Sequence, residues 1–186
     1  MHNSVRIADG LTYLGGNDRR IALFESAYPV PRGVSYNSYL LTDEKTVLFD
    51  TVDLSVSDLF FENLAYALDG RGLDYVVVHH MEPDHSATFA RLLEKYPSVT
   101  VVTNQKVVQM LKNYFGFAGN VHLVKEGDSL SVGRRTLTFV FAPMVHWPEV
   151  MVTFDAASGT LFSADGFGKF GASDADEPWA DEARRY

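Results

Sequence analysis

The sequence predicts an α/β sandwich with helices packed on sheets, and three stretches carry that prediction. The first third alternates short apolar runs with polar turns, residues 57–124 alternate strand-like and helix-like periods, and from Ser129 the hairpin pattern returns. Strand–helix alternation flanked by all-strand stretches calls for layers: sheets in the middle, helices outside.

Each element has its own signature. "YLLTDEKTVLF" places apolar runs at Tyr39–Leu41 and Val47–Phe49 around a polar turn at Asp43–Lys45, which reads as a hairpin. Ser57 or Asp58 is positioned to cap a helix whose Phe60, Phe61, Leu64 and Leu68 form one stripe before Gly70 ends it. "YVVVHH" is a short, uniformly apolar strand of the kind buried on both faces. Ser86 then reads as the N-cap of a helix carrying Phe89, Leu92, Leu93 and Tyr96, stopped by Pro97. "VTVV" is a strand, and Asn104–Phe115 is a helix with Val107, Leu111 and Tyr114 on its apolar side. "VHLV" is a strand again. "RTLTFVFAP", "EVMVTFD" and "TLFSADG" continue as hairpin strands around a turn at Ala156–Gly159, and the acidic final stretch reads as the beginning of a helix.

Composition narrows what such a domain can do. With 186 residues and 46% apolar content the chain suffices for one globular domain, residues 1–186, with a core of its own. Zero cysteines exclude disulfides, thiolate ligands, iron–sulfur clusters and a cysteine nucleophile, so any metal must be held by His, Asp and Glu. A net charge of −8 argues against a nucleic-acid footprint. No apolar run approaches a membrane span and "MHNSVRIADG" lacks the features of a signal peptide, so the expected location is cytoplasmic, with no membrane partner.

The chemistry concentrates in "VVVHHMEPDHSATF". An apolar strand stops, and His79, His80, Glu82, Asp84 and His85 follow within seven residues. Pro83 is expected to keep the loop extended up to Asp84. Alternation then turns His80, Glu82 and Asp84 one way and His79 and Met81 the other. At the turn into the next helix Asp84 and His85 diverge enough to reach a second centre, so two metals fit better than one. Polar strand ends are ordinary, but a proline-stiffened H-x-E-x-D-H is a dense set of ligand types. His146 and Asp165 each follow a later strand and are unremarkable singly; in such a sandwich their loops open at the same edge as the cluster.

With those residues in view, the sequence resembles the flavodiiron proteins, the branch of the metallo-β-lactamase superfamily that reduces oxygen and nitric oxide. "HMEPDH", His146 and Asp165 carry the resemblance, supported by "YNSYLL", "LFDT", "VHWPE" and "LFSADGFG" across nearly the whole chain. It implies a metallo-β-lactamase-like sandwich, two mixed β-sheets flanked by helices. It also implies a non-haem diiron site: His80, Glu82 and His146 on one iron, Asp84 and His85 on the other, Asp165 bridging. Glu82 stands where hydrolytic relatives usually have a histidine, and a carboxylate there suits iron better than zinc. The implied reaction reduces dioxygen to water, nitric oxide to nitrous oxide, or both, with electrons delivered through FMN from a donor such as rubredoxin or a flavin reductase, in a homodimer.

The chain departs from that pattern in three ways. The family's second iron takes one further histidine, expected beyond Tyr186, and His2, His79 and His122 are each badly placed to replace it. The FMN-carrying flavodoxin-like domain has no counterpart here, so the chain reads as a fragment, incomplete at the C-terminus of the metal domain and inactive alone. Where many relatives carry a histidine near the substrate, "ALFESAYPVPRG" offers Glu25, while Trp147, Phe167 and Phe170 are candidates to line a pocket for a small gas. Two other readings remain: a metal-dependent hydrolase of the same superfamily, and a fragment without catalytic function that keeps the fold.

Overall fold

The structure, a computed structural model, describes residues 3–172; His2 and the acidic stretch expected to start a helix lie outside the described residues. In chain order the strands of the first third are β1 (Val5–Ala8), β2 (Leu11–Tyr13), β3 (Gly16–Asp18), β4 (Leu23–Phe24), β5 (Tyr28–Pro29), β6 (Val34–Tyr36), β7 (Tyr39–Thr42) and β8 (Thr46–Phe49). There follow a 3-10 turn at Leu54–Val56, α1 (Ser57–Leu68), β9 (Tyr75–Val77), α2 (Pro83–Ser86), α3 (Phe89–Lys95), β10 (Thr100–Thr103), α4 (Gln105–Phe115) and β11 (Val121–Leu123). The last part holds β12 (Ser129–Ser131), β13 (Thr136–Phe141), β14 (Met151–Asp155) and β15 (Thr160–Phe162).

Seven strands form one sheet in the order β1-β2-β7-β8-β9-β10-β11, and four form a second in the order β12-β13-β14-β15. The first sheet is antiparallel up to the β7–β8 hairpin and parallel from β8 through β11, because helices cross over between those strands. The described strands of the second sheet pair antiparallel.

Why the central strands are apolar through their middles follows from the two cores. Leu40, Leu48, Val76, Val78 and Val101 point to the helices, where Phe60, Leu64, Phe89, Leu92, Val107 and Leu111 meet them. Their neighbours Leu41, Val47, Phe49, Val77 and Val102 point the other way, onto Leu137, Phe139, Met151 and Phe162 of the second sheet. With a period of two and both faces covered, polar side chains are confined to the strand ends, where Thr46 and Thr103 are buried with their hydroxyls hydrogen-bonded. The helix side and the sheet–sheet side thus hold the ends of β8 and β9 rigidly, and the ligand loop leaves from there.

Several local expectations need correction. Neither Ser57 nor Asp58 caps α1: Val56 is at the cap, and Asp53 instead accepts from the Ser55 N–H to start the preceding 3-10 turn. Tyr114 is exposed rather than on the buried face of α4, because Phe115, four residues after Leu111, turns inward in its place. The loop does not stay extended until Ser86. Pro83 is the first residue of α2, where its fixed φ suits a first turn and its missing N–H costs nothing, and Glu82 before it is the extended residue (φ −61°, ψ 147°). Ser86 therefore closes α2 rather than capping α3, which begins after Thr88, and its hydroxyl donates to the carbonyls of Met81 and Glu82.

Candidate metal centre

The β9 strand ends at the sheet edge, and α2 turns the loop at Pro83. His80 and Glu82 leave the loop before that turn, Asp84 and His85 on it. His146 arrives from the loop between β13 and β14, Asp165 from the loop after β15. All six residues meet. One group joins His80, Glu82, His146 and Asp165, the other Asp84, His85 and Asp165; in each, one donor atom per residue lies within 4.8 Å of the others.

Asp165 belongs to both groups through different oxygens. Its Oδ2 is 3.2 Å from His146 Nε2 and 3.3 Å from His80 Nε2, while Oδ1 is 2.7 Å from His85 Nε2. Glu82 Oε2 sits between two imidazoles, 3.0 Å from His80 Nε2 and 2.7 Å from His146 Nε2. Asp84 Oδ2 is 3.6 Å from His85 Nε2. Three histidines thus turn Nε2 toward three carboxylates.

The protonation pattern of the cluster is compatible with a cation site. Burial acts to lower the pKa of His80, yet hydrogen bonds to Asp165, Glu149 and Glu82 outweigh it and push it up to about 10. His85 is also raised well above its ordinary value: burial opposes the shift, and Asp165 and Asp50 outweigh burial. Burial likewise opposes the shifts of Glu82 and Asp165, but the histidines facing them bring Glu82 down to about 2 and hold Asp165 well below the carboxylate range. Asp84, desolvated and beside Asp165 and Glu82, rises to about 6. Protons on imidazole balance the carboxylates, and a cation would supply the same balance with the rings neutral, releasing those protons. The buried Asp84 Oδ1 has no hydrogen-bond partner, a further sign that the donors fit an ion better than one another.

A cavity of about 670 Å³ opens over the cluster, and its walls include Phe24, Glu25, Tyr28, Phe167 and Phe170. Phe170 packs on Phe24 and Tyr28 with ring centroids 5.2 and 6.0 Å apart. Four of the lining residues, Glu25, Asp50, Ala164 and Phe167, hold positive φ (49°, 54°, 48° and 66°). Such conformations cost about 1–3 kcal/mol each and collect where a site over-determines its loops. Glu25 shares a hydrogen bond with Glu82, and this with partial burial pushes its carboxyl up to about 7. Trp147 is not among the lining residues, contrary to expectation: its ring stands edge-on to His80 at 5.2 Å and packs beside that ligand instead.

His79 stays apart from the cluster. Its ring nitrogens reach Asp50 Oδ2 at 2.9 Å and Thr153 Oγ1 at 2.7 Å, and its ring stacks on Phe49. His122 is exposed on the edge strand β11. Sequence reasoning passed over two buried acids beside the cluster, Asp50 and Glu149. Each sat inside a quoted motif, "LFDT" and "VHWPE", but a single acid at a strand end carries no ligand spacing of its own.

The chain is similar to many known proteins. A family model described as "ODP family beta lactamase" matches residues 34–186. The anaerobic nitric oxide reductase flavorubredoxin of Vibrio vulnificus is 36% identical over 169 residues, covering 89% of this chain and 34% of its own length. The nitric oxide reductase of Moorella thermoacetica is 37% identical over 171 residues, covering 91% of this chain and 43% of its own. Among solved structures, rubredoxin oxygen:oxidoreductase from Desulfovibrio gigas superposes with a TM-score of 0.91 at 33% identity, over 98% of this chain and 47% of that one. The chain thus spans between a third and a half of the length of these relatives.

Proposed function

The chain belongs to the ODP family of β-lactamase-like domains, and from that premise we propose that it is the diiron domain of a flavodiiron-type reductase acting on dioxygen, nitric oxide or both. In this reading His80, Glu82 and His146 hold one iron, Asp84 and His85 the other, and Asp165 gives one oxygen to each. The observation that carries it is the split of the Asp165 carboxylate between two groups of donors, with Glu82 at the position that separates iron-type from zinc-type ligand sets. Residues 1–186 are read as one metal-binding domain.

Held by these residues, a pair of irons would offer open coordination positions to a small gas and would pass on to it electrons received from a donor. The rest is the work of the chain. Glu82, Asp84 and Asp165 place three hard, anionic donors among three imidazoles, which favours an ion that changes oxidation state. The ends of β9, β13 and β15 and the single turn of α2 bring the donors together before any ion arrives, which lessens the ordering to be done on binding. Phe24, Tyr28, Phe167 and Phe170 give the cavity apolar walls suited to a small uncharged molecule. Electrons arrive through FMN, supplied by a rubredoxin-type protein or a flavin reductase, and the working form is a cytoplasmic homodimer. No helix among the described residues is long and apolar enough to cross a membrane.

Metal analysis of protein purified without oxygen tests the reading. The expected result is iron held in preference to zinc, with an absorbance change on adding nitric oxide. Stoichiometric zinc together with esterase activity would overturn it in favour of a hydrolase.

A further inference from the structure

Each of the two donor groups contains one histidine of the segment that follows β9, His80 before Pro83 and His85 in α2, and each faces a different buried acid behind it. His80 turns Nδ1 to Glu149 Oε1 at 2.8 Å, and the same oxygen accepts the Met81 N–H at 3.1 Å. Glu149 is itself held, since Asn104 Nδ2 donates to its carbonyl at 2.7 Å, and it is 1% exposed. His85 turns Nδ1 to Asp50 Oδ2 at 3.6 Å. That buried nitrogen has no hydrogen-bond partner, so the contact is a small movement short of a bond. Asp50 is fixed by the His79 backbone N–H on Oδ1 at 2.7 Å and by the His79 ring on Oδ2. Its neighbour Thr51 donates from both N–H and hydroxyl to the His85 carbonyl, 2.9 Å each, so the Asp50–Thr51 pair addresses His85 at backbone and ring alike.

We infer that Glu149 and Asp50 are positioning residues, one for each metal: Glu149 holds the Nδ1–H of His80 and Asp50 the Nδ1–H of His85, so that both rings offer Nε2 to the ions. The assignment rests on the metal reading above and deepens it. A histidine ligand whose other N–H is bonded to a carboxylate is fixed in tautomer and orientation and is a stronger donor. The two supports differ in readiness. Glu149 already grips His80, whereas Asp50 is occupied by His79 and closes on His85 as the second ion draws that ring into place. The first group is therefore filled before the second. His146 approaches from a separate loop, and its side chain is half exposed.

Two measurements on this chain test the assignment. In the zinc-loaded protein, long-range proton–nitrogen NMR should find His80 and His85 bound through Nε2 with Nδ1 still protonated; binding of either through Nδ1 overturns it. In a cobalt titration followed by visible absorbance, Glu149→Gln should weaken the first equivalent by about 10- to 100-fold and Asp50→Asn the second by a similar factor. Asparagine is chosen because it tolerates the φ of 54° at Asp50. Two equivalents bound with unchanged affinity in both variants overturn the assignment alone. A wild-type chain that takes up no cobalt overturns the metal reading and the assignment with it. If Asp50→Asn does not fold, the NMR result on the wild type decides.

Discussion

The two halves of the site share one loop and one carboxylate, Asp165, yet they are differently prepared. His80, Glu82, His146 and Asp165 are drawn together through short contacts, with Glu149 bonded behind His80. Asp84 and His85 come together with Asp165 alone of the other donors, and each keeps a buried polar atom without a hydrogen-bond partner. The difference begins at Pro83. Residues before it are placed by the end of a strand buried on both faces, and residues after it by a single helical turn. Preorganisation here follows from what stands behind the donor more than from the donor's own identity.

The largest effect is expected where the halves join. Asp165→Ala should remove both metals at once, giving a metal-to-protein ratio near zero by elemental analysis; a single tightly held metal would show that the carboxylate does not bridge. His85→Ala should be more selective, leaving about one metal per chain in the first group. Loss of both would mean that the halves are not separable.

Phe49→Ala reaches the second half from behind. Phe49 is fully buried, stacks on Phe162 at 3.7 Å and backs His79, which in turn holds Asp50. Truncation should cost about 3–5 kcal/mol of folding stability by denaturant titration, and the second metal equivalent should weaken more than the first. Equal weakening of the two would indicate a general loosening of the sheet.

The smallest effect concerns protons. Burial opposes it, but the carboxylates around His80 raise its pKa from an ordinary 6.5 to about 10. A raised pKa means that the folded, metal-free chain gains stability from this proton below pH 6.5 and loses it as the pH climbs through about 10. The melting temperature of metal-free protein should therefore fall across that window. Metal-loaded protein, whose His80 is already neutral, should not share the fall, and parallel profiles would contradict the exchange of proton for metal.

Much of this was written plainly in the sequence. Runs such as "YVVV" announced strands with two buried faces because an unpartnered polar side chain is costly in either core, and the ligand types from His80 to His85 stood out because their density exceeds what a strand-end loop needs. Other features were not legible for physical reasons. Pro83 blocks helix for the residue before it and favours a first turn at its own position, and only the second effect shaped α2. Tyr114 and Phe115 are both aromatic, so periodicity could not decide which turned inward. Asp50 and Glu149 face histidines 35 and 69 residues away in sequence, through contacts that exist only once the chain has folded.

X-ray absorption at the iron edge of the anaerobically reconstituted chain addresses the binuclear centre most directly. A bridged pair predicts oxygen and nitrogen neighbours together with an iron–iron vector at about 3.5–4 Å. Iron in the same ligand shell with no metal–metal vector, or no iron retained at all, would contradict it.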